Sequence, residues 1–525
     1  MGKKGGKASK KGRAAVACVL AVVFAAAVCG YIFALRDVKI EFYNEDGALH
    51  SVQVVKPFGK VNAVHLASSE EKVFLGWFED TDDFGTYFLF KEKAFKSVKL
   101  YPKFATPLDV PLTEERQAFF DEHITRFAEV PTVTIDTESD PNIQKPLYAK
   151  GRLSLDCSED GFDLNNVKTE IRLRGRNSLH FPKKSYKIKF DKKATAVFGQ
   201  AGNKNWALVA NYIDVSNMRN YLAYTFAGML SFEFSPNCYF VNLVLNGEAQ
   251  GLYLLVETIE ASPVRVNLQE NPKAEDFDTG FILEETTAYN IEALTENIDY
   301  IKAADHIYEI QYPKIDDDDI DPDKYGEILD YIKGYIAEVN DAVYSKDFNR
   351  FGALCDAESF VDFMTVQELF KNLDAYRASF YFYKKPGGKL TMGPVWDFDR
   401  SAGMDNLSHL FSPEKIYAEY KDGFQRKYGS WFYSLWKTPE FKELFKKRVA
   451  ELRGEMRFIV SLIEPTMFYI YGAAKANYEI WEIETMLQND ERHTLKDLTE
   501  FGEQCGFLEY FLTERIDWLY EYCGK

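Results

Sequence analysis

The sequence predicts an α+β protein, β-rich through its first half and helical toward its carboxyl end, behind one apolar amino-terminal span. Three observations carry that expectation. Period-two alternation broken by Asp-Gly, Phe-Gly and Asn-Gly turns recurs between residues 38 and 257. Helical periodicity takes over after Gly403, as in KTPEFKELFKKRVAELRGEMRFIVSLI, the Ala473–Asp490 segment and LKDLTEFGEQCGFLEYFLTERIDWLYEYC. The run Ala14–Leu35 carries no charge and is rich in Ala and Val. With 525 residues, 46% apolar and 15% aromatic, the chain is long enough for several domains and at least one large core.

The amino end comes first. Residues 1–13 are basic and Gly-rich, and 22 uncharged residues follow, enough to span about 30 Å of hydrocarbon. Lysines and Arg13 before the run place the amino end in the cytoplasm. The expectation is a single-pass membrane helix, with everything from about residue 37 extracytoplasmic. A cleaved signal peptide, cut near Ala25-Ala26-Ala27, is the alternative. Beyond residue 36 the chain holds 56 basic against 81 acidic residues, a formal −25, which argues against nucleic-acid binding. Cys18 and Cys29 sit in the span. Cys157, Cys238, Cys355, Cys505 and Cys523 show no CxxC and make neither a zinc site nor a disulfide framework; a single Cys505–Cys523 pair stays open.

Residues 37–105 alternate as strands (VKIEFYNEDGALHSVQVV, VFLGWFEDTDDFGTYFLF, SVKLYPKF) and form a small all-β module. Gly76-Trp77-Phe78 and Leu100-Tyr101-Pro102-Lys103-Phe104 resemble positions of the B-repeat of Gram-positive surface proteins. That resemblance implies a β-grasp-like fold with Trp77 and Tyr101 in the core, and a cell-wall or surface partner. Residues 106–129 read as a linker.

From Val130 four strands are expected: VPTVTID, KGRLSLD, VKTEIRLRGR and KSYKIKF. The loop between the last two gathers Arg174, Arg176, Lys183 and Lys184 around a Gly-Arg-Asn-Ser turn, chemistry suited to an anion such as a phosphate. Alternation puts Lys187 and Lys189 on one strand face, with Tyr186, Ile188 and Phe190 on the other. Asp214 or Ser216 can cap a helix that begins near Arg219 and Asn220, where a basic side chain at a helix start suggests a partner. Asn246-Gly247 marks a tight hairpin that ends in Leu-Leu-Val-Glu257. Asp316–Asp319 lacks calcium-loop spacing and reads as a solvated helix start. Helices follow over Tyr325–Tyr344 and Ala357–Phe370, with start signals at Asp323 and Asp356.

They lead into NLDAYRASFYFYKKPGGKLTMGPVWDFDRSAG, residues 372–403. Two apolar runs, Ser379–Lys384 and Leu390–Trp396, flank Pro-Gly-Gly, a hairpin signal. Folding about Gly387 brings Asp374 and Asp397 to the open end, with Asp399 just beyond. Three carboxylates there repel one another unless a cation or proton intervenes, and magnesium beside a phosphate chain is the natural occupant.

Asp374 ahead of SFYFYK, GGKL-MGPVWDFD and the distal Gly403 resemble the core motif of the CotH family, atypical kinases named after a spore-coat protein. The loop RGRNSLHFPKKSYKIKF resembles the family's basic segment, with Arg176-Asn177 where Gly-Asn is commoner. NYIDVSNMRN resembles its helix start, and GFILEE another of its strands. The resemblance covers residues 128–525. It implies a kinase-like domain over 130–460 with a helical part of the same domain over 461–525, ATP and magnesium or manganese as cofactors, and a protein acceptor. It implies Asp374 as catalytic residue, Asp397 and Asp399 as metal ligands, and Ser379 as a weaker ligand where ordinary kinases carry Asn. Arg174, Arg176, Lys184, Lys189, Arg219 and Glu257 would line the nucleotide. The alternatives are a non-catalytic surface protein that binds a partner, and a glycosidase using the same carboxylates, which would need no basic wall.

Overall fold

The computed structural model describes residues 36–81, 85–90, 94–107, 118–119, 127–137, 143–158, 161–193, 195–200, 202–269, 277–287, 299–303, 306–315, 320–404, 411–421, 429–489 and 493–524. These divide into two compact units. One holds Phe74–Phe104 with the described residues up to Ser68; the other holds Ser69–Val73 and Ala105 onward.

The smaller unit is a sheet of β1 (Val38–Tyr43), β2 (Leu49–Val55), β3 (Val73–Phe78) and β4 (Val98–Ala105), in the order β2-β1-β4-β3. β1 runs antiparallel to β2 and parallel to β4. The expected Asp-Gly turn joins β1 to β2, with Gly47 at φ +79. Trp77 is fully buried, its ring 4.9 Å from Phe42 and its indole N–H donating to the Val64 carbonyl. Tyr101 is only half-buried and stacks on Tyr43.

In the larger unit the strands close into a barrel. β5 (Thr132–Thr137), β6 (Ala149–Asp156), β7 (Leu164–Arg174), β8 (Ser185–Phe190), β9 (Asn205–Val209), β10 (Cys238–Leu245) and β11 (Glu248–Glu257) follow the order β10-β11-β9-β8-β7-β6-β5. Parallel pairing of β10 with β5 completes the ring. Alternation decides what fills it: Val133 and Ile135, Leu153 and Leu155, Ile171, Ile188 and Trp206 point inward and are buried. Truncating one of these to Ala costs about 2–5 kcal/mol. The Asn246-Gly247 turn, with both residues at positive φ, pairs Leu245 with Glu248 as expected of a two-residue hairpin.

A second sheet follows the order β13-β14-β12-β15-β16, from β12 (Phe281–Thr286), β13 (Tyr300–Ala303), β14 (His306–Tyr312), β15 (Phe380–Lys384) and β16 (Leu390–Met392). The unit's helices include α1 (Arg219–Gly228), α2 (Tyr325–Ser345), α3 (Ala357–Phe370), α4 (Ile463–Ile480) and α5 (Phe501–Cys523), with others between, and α2 and α3 pack on this sheet. Asp356 caps α3 through the Glu358 N–H. The start before α2 falls at Asp321, which caps a short 3-10 turn, and not at Asp323. α4 lies against β11: Gly251, at φ +78, leaves room for Asn477, whose amide oxygen a Cβ there would meet at 2.6 Å.

Two expectations are corrected here. The expected kinase-like domain behind a β-grasp-like module is corrected to a mixed α+β chain, sheet-rich first and helical at its carboxyl end. Among the described residues no helix is long and apolar enough to cross a membrane. The longest, α5, carries Glu503, Glu509, Arg515 and Asp517 along its length. The expected span Ala14–Leu35 and the acidic run Asp316–Asp319 lie outside the described residues. Cys505 and Cys523 are both free thiols on α5, separated by five turns of one rigid helix, about 27 Å of rise, so they cannot pair.

Candidate active site

The hairpin of β15 and β16 forms as its Pro-Gly-Gly turn dictates, pairing Phe382 with Met392 and Lys384 with Leu390. Gly387 takes φ +64, and the Gly388 N–H closes the turn on the Lys385 carbonyl at 2.9 Å. The second strand ends at Met392, short of the expected Trp396. Gly393 turns to φ +106 and Pro394 has no N–H to extend the ladder. The chain beyond is fixed by side chains instead. Asn372 donates its amide to the Asp397 carbonyl at 3.0 Å, and its own amide oxygen accepts the Asp374 N–H at 3.2 Å. One side chain therefore ties the segment before the hairpin to the segment after it.

The start of α1 holds the same loop from the other side. The Asn220 amide oxygen accepts the Phe398 N–H at 2.7 Å, and its NH2 reaches the Asn211 amide oxygen at 3.0 Å. Arg219 is fully buried. It pairs with Asp214 at 2.6 Å and donates to the carbonyls of Ser401 and Ala402 at 2.9 and 3.3 Å. Asp214 also accepts the Arg219 N–H at 2.9 Å, so it satisfies the first turn of α1 as an N-terminal acceptor.

These contacts open one cleft of about 450 Å³. Asp374, Asp397, Asp399, Arg174, Arg377 and Arg400 all line it. Asp374 keeps 30% of its side chain exposed, and one of its oxygens is held by Arg377 at 2.9 Å. Burial and then the nearby Asp374 charge push the Asp397 carboxyl up to about 6; Arg174 and a hydrogen bond from the Ser379 hydroxyl oppose the shift. Asp399 is pushed up well above the usual carboxylate range by burial, Asp397 and Asp214. Both Asp397 and Ser379 sit in the left-handed backbone region, at φ +66 and +54. Non-glycine residues are held there only when their surroundings fix them, a common mark of functional sites.

The anticipated nucleotide residues divide. Arg174 reaches the cleft, its guanidinium 5.1 Å over the Trp396 ring. Arg176 also lines it, but is engaged by Glu309 and by the Thr286 hydroxyl at 2.9 Å. Lys184 turns back on its own loop, donating to the carbonyls of Leu179 and Phe181. Lys189 lies on the outer face of the barrel in a separate hollow, because alternation sends it away from Ile188. Arg219 is internal, as described above. Glu257 accepts two hydrogen bonds from Asn237 and faces Arg265 at 3.6 Å, away from the cleft lining. Ser379 lines the cleft and steadies Asp397.

Arg377, Arg400 and Glu284 also line the cleft and were not anticipated. Arg377 and Arg400 each stand three places after an aspartate, in Asp374-Ala-Tyr-Arg and Asp397-Phe-Asp-Arg, and that repeated spacing was readable. Glu284 enters from β12, its carboxyl pushed up to about 7 by burial and then by Glu309, and it accepts from the Tyr381 hydroxyl at 2.7 Å. Lys183 is fully buried beneath the cleft. Its ammonium donates to the Ala210 carbonyl and the Asn477 amide oxygen, both at 2.8 Å, and to the Leu252 carbonyl. Nothing in the local sequence distinguishes it from Lys184, since its partners lie just after β9, on β11 and on α4.

Among the described residues no group of three or more His, Cys, Asp or Glu side chains is arranged to hold a metal. The donor set nonetheless fits magnesium or manganese. These hard cations are commonly held by one or two carboxylates, the remaining positions going to water and phosphate. Asp397, raised by burial and by Asp374, and Asp399, raised by burial, Asp397 and Asp214, are the carboxylates a cation would relieve.

Barrel, second sheet and cleft together define a mixed α+β protein with opposed carboxylates and arginines at one mouth. The chain belongs to the CotH family: the family model described as CotH kinase protein matches residues 171–519. That range begins within β7, ends within α5 and takes in Asp374, Asp397, Asp399 and Arg174. It does not reach residues 37–105, whose B-repeat resemblance is not confirmed. A search of curated proteins returns no match.

Proposed function

We propose that the cleft transfers the γ-phosphoryl group of ATP to a Ser or Thr hydroxyl of a protein. The observation that carries this reading is the joint placement of Asp374 and Asp397 in one cleft facing Arg174. Family membership supports it. Asp397 and Asp399 would hold a divalent cation, with Ser379 steadying Asp397. When bound, that cation neutralises phosphate charge and aligns the γ-phosphorus. Arg174 meets the phosphate oxygens as a planar donor stiffened by Trp396. Asp374, held on one oxygen by Arg377, orients the acceptor hydroxyl with the other. The acceptor oxygen bonds to phosphorus as the β–γ bridge bond breaks, and the hydroxyl proton passes to Asp374. Sugar cleavage has no use for the four arginines, Arg174, Arg176, Arg377 and Arg400, that line the same mouth.

Thermal melts of the full chain test the reading. Saturating ATP with magnesium or manganese raises the melting temperature, because a ligand bound only by the folded state stabilises it by mass action. Asp397→Asn removes most of that shift and Asp374→Asn retains it. Absence of any shift in the wild type defeats the proposal.

A further inference from the structure

The outer face of the barrel carries a basic track that runs into the cleft. Register fixes it. Lys168, Glu170, Arg172 and Arg174 share the outward face of β7, since Ile171 points into the core. On one side, β6 sets Arg152 opposite Lys168 and Lys150 opposite Glu170. On the other, β8 sets Lys189 opposite Glu170 and Lys187 opposite Arg172. Glu170 is the one acid in those paired positions. The far end opens into a hollow of about 480 Å³ lined by Lys150, Lys168, Lys189 and Lys204 against two acids, Glu170 and Asp191. The near end is Arg174 in the cleft.

This concentration of positive charge stands out on a chain of net charge −18. The cations crowd one another: burial and the charges of Arg172, Lys314 and Arg174 press the Lys187 ammonium down to about 8, against the pull of Glu260. Arg172 and Lys189 both lie over the Tyr148 ring, at 5.2 and 5.8 Å. From Lys168 to Arg174 the track is about 20 Å long, the reach of about six residues of an extended chain. Its outward positions recur every second residue, the repeat at which an extended peptide presents side chains to one side, and are basic except at Glu170.

We infer that this track docks an acidic segment of the protein substrate and feeds its acceptor residue toward Asp374. A single extended chain fits three strands in width. A duplex or a membrane surface is broader and would also meet the acidic remainder of the molecule. The inference rests on the phosphoryl-transfer reading for its purpose, but its binding step can be measured without ATP.

The test uses the full chain and a labelled twelve-residue peptide with one Ser among alternating Glu residues. A neutral peptide with Gln for Glu and a single-stranded RNA oligonucleotide of equal charge serve as comparisons. Fluorescence anisotropy without nucleotide should show the acidic peptide binding at least tenfold tighter than the other two. Raised salt should weaken it, and the double variant Lys150→Glu/Lys168→Glu should lose it. With ATP and magnesium, the same variant should raise KM for the acidic peptide at least tenfold and leave kcat and the KM for ATP unchanged. Equal binding of acidic and neutral peptides, tighter binding of RNA, or a variant that binds as wild type overturns the docking track. Loss of peptide binding in the variant together with no transfer by the wild type upholds the track and overturns the kinase reading alone.

Discussion

Asn372 spans the mouth of the hairpin to Asp397, its amide 3.0 Å from the Asp397 carbonyl, while its amide oxygen receives the Asp374 N–H. The two aspartates proposed for chemistry are thus referenced to one side chain that touches neither carboxylate. Asn372→Ala leaves a partly buried carbonyl and a partly buried N–H without this partner, at about 1–3 kcal/mol. The melting temperature should fall by a few degrees. Transfer should fall further, because a displacement of about 1 Å at a reacting group can cost about a hundredfold. Parallel melts and rate measurements check both; a variant with wild-type rate would remove Asn372 from the account.

Stability without ligand should fall as pH rises from about 4 to about 7. Asp397, Asp399 and Glu284 all have carboxyl pKa values raised in the fold, so the folded state binds more protons than the unfolded chain across that window. Their contribution is complete below the unfolded value and is lost as pH passes the folded one. Asp397→Asn should therefore melt with the wild type near pH 4 and above it near pH 8. A variant that melts below the wild type at pH 8 contradicts the burial and repulsion assigned to Asp397.

Arg174→Ala should weaken ATP binding at least tenfold, about 1.4 kcal/mol or more. Lys189→Ala should leave it within about twofold, since Lys189 lies in the outer hollow. Lys184→Ala should act on stability, because its ammonium is committed to the Leu179 and Phe181 carbonyls. Calorimetric titration of the three variants with ATP separates them, and equal losses in all would relocate the phosphates.

Arg219→Ala removes one half of a buried ion pair and abandons Asp214, at about 3–5 kcal/mol. Denaturant unfolding should show that loss. ATP affinity should fall with it, because Arg219 holds the Ser401 and Ala402 carbonyls behind Asp399. An unchanged denaturation midpoint would show that the pair does not stabilise the fold.

Much of the site was legible because its signals are local. The Pro-Gly-Gly turn, the alternation beside it and the aspartates at its open end predict the Asp374–Asp397 juxtaposition from adjacent residues alone. Lys184 and Lys189 misled for the opposite reason: a lysine's charge is visible in sequence, but whether it meets a loop carbonyl, solvent or a phosphate depends on distant elements. Lys183 shows this most clearly, since its partners come from residues 210, 252 and 477. Closure of the barrel was hidden too. It depends on the parallel pairing of β10 with β5, more than a hundred residues apart.

The most direct measurement is transfer of label from γ-labelled ATP to a casein-like acceptor by the purified full chain, with magnesium or manganese. The account predicts metal-dependent phosphoserine or phosphothreonine with the wild type. It predicts none with Asp374→Asn, although that variant still gains thermal stability from metal and ATP. Transfer by Asp374→Asn at the wild-type rate, or no transfer by a wild type that binds metal and ATP, would contradict it.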